Sequence, residues 1–192
     1  EGACARFRLA DRPREDAAAA VAAVRALGLR THLLTGDHEA PAREVAGALG
    51  LDELRHGATP ADKLSYVRQL QGQGRRVLMI GDGVNDAPVL AAADVSLAVG
   101  EATALARTAA DTVLLSGSIL RVADLLTMAR RTRRVIAENL AWASLYNAVA
   151  IPAAALGLVA PWLAAIGMSL SSLLVVGNAL RLTLPRWKRS TS

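Results

Sequence analysis

The chain has 192 residues, a formal charge of +5 and 53% hydrophobic residues, which bounds it to one ordinary domain or a smaller domain with something attached. A net positive charge suggests nucleic acid, but its distribution argues against that: Glu1 to Asp124 holds 14 basic and 16 acidic residues, while Leu125 to Ser192 holds 8 basic and 1 acidic. The lone Cys4 excludes an internal disulfide and no CxxC occurs, so the polar part reads as cytosolic.

Up to Asp124 the chain alternates helix-like and strand-like segments. "REDAAAAVAAVRALG" (14–28) opens on acidic residues and closes on Gly28, as helix ends prefer. "THLL" (31–34) reads as a short strand running into Thr35-Gly36-Asp37, followed by a helix over "EAPAREVAGALG" (39–50). In "TPADKLSYVRQLQGQG" (59–74), Thr59 is a plausible N-cap with Pro60 at the first helical position. The apolar run "RVLMI" (76–80) predicts a strand, then come the loop "GDGVND" and the helix "DAPVLAAA" (86–93). "VSLAV" (95–99), "EATALARTAA" (101–110) and "TVLL" (112–115) predict a further strand, helix and strand. Apolar strands alternating with helices imply an α/β, Rossmann-like parallel sheet covered on both faces.

"ILRVADLLTMARRTRRVIAENL" (119–140) reads as one long helix leading into a charge-free stretch. Between Glu138 and Arg181 lie 42 residues without a charged side chain, about twice the ~20 that cross a bilayer as a helix. Gly157 and Pro161 divide them, so we expect a transmembrane hairpin of two helices. Basic clusters at 129–134 and 186–189 place both outer ends on the cytoplasmic side. Trp142, Trp162 and Trp187 fall near the predicted interfaces. The expected division is a domain over 1–118, a linking helix over 119–138, two membrane helices over 139–182 and a basic tail over 183–192, rigidly joined. Arg outnumbers Lys by 20 to 2, which suggests a GC-rich bacterial source and hence a bacterial cytoplasmic membrane.

In an open parallel sheet, ligands bind at the carboxyl ends of the strands. Thr35, Gly36 and Asp37 offer a hydroxyl and turn amides for an anion. Lys63, one of two lysines, offers a compact charge for one phosphoryl oxygen. Asp82 and Asp86 are hard oxygen donors suited to Mg²⁺, which typically takes one or two carboxylates along with waters and substrate phosphate. Together they describe a phosphoryl-transfer site. His32, His38 and His56 have no metal-ligand spacing, and "GDG" is not a dinucleotide fingerprint.

The order TGD, PxDK, GDGVND resembles the phosphorylation domain of P-type cation-transporting ATPases, a branch of the haloacid-dehalogenase superfamily. "RFRLADRPREDAAAAVAAVRALGLRTHLLTGDH" (6–38) is similar to that domain through its TGD motif. The resemblance implies a haloacid-dehalogenase-type fold, incomplete here, with Thr35 holding the phosphoryl group, Lys63 neutralising it and Asp82 binding Mg²⁺. Asn85 and Asp86 complete the loop. "NLAWASLYN" and "MSLSSLLVVGNALRL" look like the last two spans of the copper-transporting members. In those members the residues matching Tyr146, Asn147, Met168 and Ser172 help bind Cu⁺, whereas zinc and cadmium relatives are expected to carry charge in these spans. A thioether beside phenol and amide groups also suits a soft monovalent ion, although Ser and Asn in membrane helices often serve only helix packing. Pro152 should loosen the helix near Ala148.

The aspartate nucleophile of a DKTG-like motif, the nucleotide-binding and actuator domains, the earlier spans and a Cys-Pro-Cys pair do not occur in these residues. We therefore expect the C-terminal portion of an ATP-driven heavy-metal pump that exports Cu(I). Its partners would be the other domains and helices of the parent, the lipid bilayer and the metal ion. The piece alone should be inactive. One alternative is a membrane-tethered phosphatase of the same superfamily, for which Asp11 is the available nucleophile and lacks the motif context. A second alternative is a non-catalytic truncated membrane module.

Overall fold

The computed structural model describes residues 13–81, 86–99, 108–116 and 118–183. The elements run α1 (Ala17–Ala26), β1 (His32–Leu34), α2 (Glu39–Leu49), β2 (Glu53–Arg55), α3 (Pro60–Gly72), β3 (Leu78–Gly81), α4 (Ala87–Ala92), β4 (Val95–Val99), β5 (Thr112–Leu114), α5 (Arg121–Ala155) and α6 (Pro161–Leu180). They divide into two compact units, Glu1–Asp124 and Leu125–Ser192, the boundary falling inside α5.

Local chemistry accounts for the helix ends. Gly50 ends α2 in the left-handed conformation at φ 66°, a region open to glycine at little steric cost. Thr59 and Asp62 form a reciprocal capping box at the head of α3: the Asp62 amide donates to Thr59 Oγ1 and the Thr59 amide donates to Asp62 Oδ2. That arrangement satisfies two amides which the helix itself cannot.

The α/β reading holds, with two corrections. The strands form two parallel sheets, β1-β2 and β3-β4-β5, where one sheet was expected. The register pairs Leu33 with Leu54 in the first, and Ile80 with Leu97 and Ala98 with Val113 in the second. Strand β2, "ELR", is absent from the sequence reading because it has no apolar run. Its Glu53 and Arg55 are exposed and only Leu54 turns inward, the pattern of a short edge strand. The predicted helix at 101–110 lies outside the described residues except for its end.

Strand β4 is the buried centre, with Leu97, Ala98 and Val99 covered and Leu90 of α4 fully enclosed against it. Ser96, 2% exposed, is a polar residue in that core and is satisfied there. Its amide and hydroxyl donate to Asp111 Oδ2 at 2.8 and 2.9 Å, and the Asp111 amide returns a bond to its Oγ at 3.0 Å. The bond set ties β4 to the start of β5 without leaving a buried polar atom unpaired.

In the second unit, α5 is a single helix of 35 residues with Pro152 inside it, and α6 has 20. The hairpin is antiparallel, and Gly157 in the turn has φ 71°. Among the described residues one helix, α6, is long and apolar enough to cross a membrane, with hydropathy 1.8. The apolar half of α5 is diluted by Glu138, Asn139, Tyr146 and Asn147.

The first unit carries a pH signature. Hydrogen bonds hold several carboxylates below their ordinary range: the Thr31 amide on Asp52, the Thr59 hydroxyl on Asp62 and the Val77 amide on Asp94. Burial pushes the His32 imidazole down as well. In each case the unfolded chain binds the proton more readily, so stability is complete above the unfolded value and is lost as pH falls. Urea midpoints of a protein containing this unit should decline shallowly as pH falls through about 6.5 and steeply below about 4. In a His32→Gln variant the upper step should disappear; a midpoint that rises on acidification contradicts the assignment.

Candidate functional site

The residues singled out at the carboxyl ends of β1 and β3 form two groups that meet at the head of α3. After β1, the Thr35 hydroxyl donates to Asp37 Oδ2 at 2.6 Å while the Asp37 amide donates to Thr35 Oγ1 at 3.1 Å. This closes a tight turn around Gly36. The Ala58 amide donates to the Thr35 carbonyl at 2.9 Å and the Gly57 amide to the Asp37 carbonyl at 2.8 Å. The turn is thereby held against the loop that enters α3. Thr59 then caps α3, and Lys63 follows one turn in, its amide bonded to the Thr59 carbonyl at 3.0 Å.

Lys63 Nζ meets Asp86 Oδ1 at 2.9 Å, and both side chains are 15% exposed. Asp86 occupies the N-cap position of α4 yet makes no side-chain bond to its own helix; its carboxylate is turned to the lysine instead. Gly81 explains how it fits. A Cβ on Gly81 would lie 3.1 Å from both Asp86 Cβ and Asp86 Oδ2, so a side chain there would crowd the carboxylate. Asp82 and Asn85 lie outside the described residues.

Beside Lys63 is an open cleft of ≈ 260 Å³ lined by Leu34, Arg55, His56, Lys63, Tyr66 and Gln69. His32 Nδ1 and Tyr66 Oη are 2.9 Å apart, and the Arg55 guanidinium lies 5.1 Å from the centre of the Tyr66 ring. This cluster was not legible in the sequence, because Arg55 is on the unforeseen strand β2. The Thr59–Asp62 box could have been read from the Thr-x-x-acid spacing.

In the second unit the seam between the helices is polar. Asn178 Nδ2 donates to Asn139 Oδ1 at 2.8 Å, Asn139 Nδ2 to the Val175 carbonyl at 3.4 Å, and Trp142 Nε1 to Ser171 Oγ at 3.1 Å. Arg181 reaches Glu138 at 3.7 Å, and Arg131 donates to the Arg181 carbonyl. Trp142, expected at a membrane interface, therefore has its indole N–H committed to α6. Further along the seam, Tyr146 packs on Gly167, where an added Cβ would lie 2.8 Å from the phenol oxygen.

These contacts fix which residues face away from the seam. Successive helical residues are rotated by about 100°, and in antiparallel helices the residue after each seam position falls on the same side of the pair. Asn147 follows Tyr146; Met168 and Ser172 follow Gly167 and Ser171. Asn147, Met168 and Ser172 thus share one side of the hairpin, and all three are exposed, Met168 by 68%. Among the described residues no three His, Cys, Asp or Glu gather as a metal cluster.

A model of haloacid dehalogenase-like hydrolases matches residues 2–94. The copper-exporting P-type ATPase of Staphylococcus haemolyticus is 44% identical over 174 residues, which take in 91% of this chain and 22% of that protein. The cation-transporting P-type ATPase B of Mycobacterium tuberculosis is 45% identical over 178 residues, 93% of this chain and 24% of that protein. The chain therefore spans about a quarter of the length of these curated relatives. A crystal structure of a zinc-transporting PIB-type ATPase in an E2·Pi state superposes with a TM-score of 0.84 at 36% identity, covering 90% of this chain and 28% of that one.

Removing one partner of a largely buried ion pair leaves the other charge uncompensated, at about 3–5 kcal/mol. Lys63→Met should lower unfolding stability by about 3 kcal/mol, near the low end because some exposure remains. Asp86→Asn added to it should restore most of the loss. Equal urea midpoints for Lys63→Met and the parent sequence count against the pair as a structural element.

Proposed function

From its likeness to P-type cation-transporting ATPases and to haloacid dehalogenase-like hydrolases, we propose that the chain belongs to the P-type ATPases and is a portion of a heavy-metal pump. That pump exports Cu(I) through an aspartyl-phosphate formed from ATP. The phosphoryl-transfer half of this reading rests on the Lys63–Asp86 pair at 2.9 Å, held near the Thr35–Asp37 turn by the loop into α3.

The strand ends support the same placement. β1 pairs with β2 in one parallel sheet, β3, β4 and β5 follow in order in a second, and parallel α/β sheets bind ligands at the carboxyl ends of their strands. The strand that bears the phosphorylated aspartate, supplied by the rest of the parent, takes the position between β1 and β3. There the Thr35 hydroxyl and turn amides hold phosphoryl oxygens, and the Lys63 ammonium neutralises them. Lys63 is pre-positioned for that role by Asp86.

The donor set at the β3 end is made of carboxylate oxygens, beside a glycine that lets Asp86 approach, and it fits a hard divalent ion. Asp82, with Asp86 beside it, would hold Mg²⁺, which supplies positive charge for the phosphoryl group. Asn85 completes the loop.

The shared side of the hairpin supports Cu(I) as the transported ion. Asn147, Met168 and Ser172 lie together there, Tyr146 enters from the seam, and no charged side chain occurs between Glu138 and Arg181. Intramembrane polar groups usually face a bundle interior or a pathway, and a thioether favours a soft ion. Other helices of the parent cover this side. Arg130, Arg131, Arg133 and Arg134 on α5 support a cytosolic position for the first unit, since basic residues flank the cytoplasmic ends of spans.

In the full-length protein, Asp82→Asn should abolish Mg²⁺-dependent phosphorylation by ATP. Met168→Ala should weaken Cu⁺-stimulated turnover while leaving phosphorylation from inorganic phosphate nearly intact. Normal phosphoenzyme in the first variant refutes the Mg²⁺ assignment, and unchanged copper activation in the second refutes Met168 as a ligand.

A further inference from the structure

Asp16 immediately precedes α1 and has helical backbone angles, φ −90° and ψ −1°, but no side-chain bond to its own helix. An aspartate at such a position ordinarily caps the helix it precedes. Here its Oδ2 accepts a bond from Ser118 Oγ at 2.7 Å and from the Leu120 amide at 3.2 Å. Both partners lie more than a hundred residues further on, within the same compact unit. They belong to the segment that leads into α5 at Arg121.

The Arg121, Val122 and Ala123 amides bond back to the Ser118, Ile119 and Leu120 carbonyls, and the Leu120 amide just ahead of them takes the Asp16 carboxylate, a charge that the helix dipole favours at this end. Directly after the clamp, Val122 and Ala123 are buried, 2% and 8% exposed, so the first turn is held by packing as well as by charge. Ser118's bond keeps the Asp16 carboxyl below its ordinary range, consistent with an ionised acceptor.

What the clamp joins is specific. On one side is α1, the helix that precedes β1 and its Thr35–Asp37 turn. On the other is α5, one helix that continues to Tyr146, Asn147 and Ala155. We propose that Asp16 is a positioning residue for energy coupling: it fixes the head of α5 to the limb that carries the phosphate turn, so that a change of phosphorylation state biases the helix carrying the metal ligands. The inference rests on the function proposed above.

Coupling of this kind corresponds to about 5- to 150-fold in the linked equilibrium. The experiment uses the full-length protein, unmodified and as Asp16→Asn, Ser118→Ala and the double variant. In each, phosphoenzyme formed from ATP and Cu⁺-stimulated hydrolysis are measured on the same preparation. Asp16→Asn should keep phosphoenzyme within about twofold while metal-stimulated turnover falls at least about fivefold. Ser118→Ala should move the same ratio in the same direction, and the double variant should be no worse than Asp16→Asn, because the two act through one contact. Full metal-stimulated turnover in Asp16→Asn overturns the proposal. So does a parallel loss of phosphoenzyme and turnover, which marks a purely structural residue. Should Asp16→Asn fail to fold, an unchanged ratio in Ser118→Ala overturns it equally. An unmodified protein that forms no phosphoenzyme overturns instead the reading on which the inference stands.

Discussion

Lys63 and Asp86 meet at 2.9 Å with most of both side chains removed from water, and the first unit is arranged around that contact. A lysine near the start of α3 and an aspartate at the start of α4 come together only if both helix heads are fixed. The Thr59–Asp62 box fixes the first. The second depends on Gly81, whose lack of a side chain admits the Asp86 carboxylate. The Thr35 turn is tied to the same loop by the Ala58 and Gly57 amides. A phosphoryl group needs positive charge that is already in place when it arrives, because pre-oriented charge loses little to reorganisation. In the proposed phosphoryl site the pair would supply that, since Asp86 holds the lysine in position beforehand.

The second unit follows a different logic. Its seam spends polar groups on helix packing, with Asn139, Asn178, Trp142 and Ser171 bonded across it. Interhelical bonds of this type contribute modestly in a membrane, on the order of 1 kcal/mol each, but they set rotation. Once Tyr146 is lodged on Gly167, the positions of Asn147, Met168 and Ser172 follow from helical geometry alone. A glycine inside a helix costs up to about 1 kcal/mol relative to alanine. The space it leaves for the phenol is a physical reason for that choice at position 167.

Much of this was legible in the residues. The helices announced themselves through Gly50, Thr59 and Pro60, and the strands β1, β3, β4 and β5 through apolar runs of matching length. The TGD, PxDK and GDGVND segments drew attention to Thr35, Lys63 and Asp86 before any contact was known. What escaped was decided by distant partners. Strand β2 has two charged residues in three, and only its pairing with β1 makes it a strand. The division into two sheets depends on pairing order, which no local pattern encodes. Asp86 reads from sequence as a metal neighbour, and its bond to Lys63 appears only when α3 and α4 are packed. Asp16 reads as the acidic start of a helix, and its partners lie at the far end of the unit.

The central chemical proposal is that an oxygen-rich phosphoryl site in this chain drives a soft-metal pathway. Metal-stimulated ATP hydrolysis by the full-length protein, compared across Cu⁺, Ag⁺, Zn²⁺ and Co²⁺, tests it most directly. Stimulation by Cu⁺ and Ag⁺ is expected, with little by Zn²⁺ or Co²⁺. Stimulation by Zn²⁺ or Co²⁺ with Cu⁺ inert, or hydrolysis indifferent to all four, would contradict it.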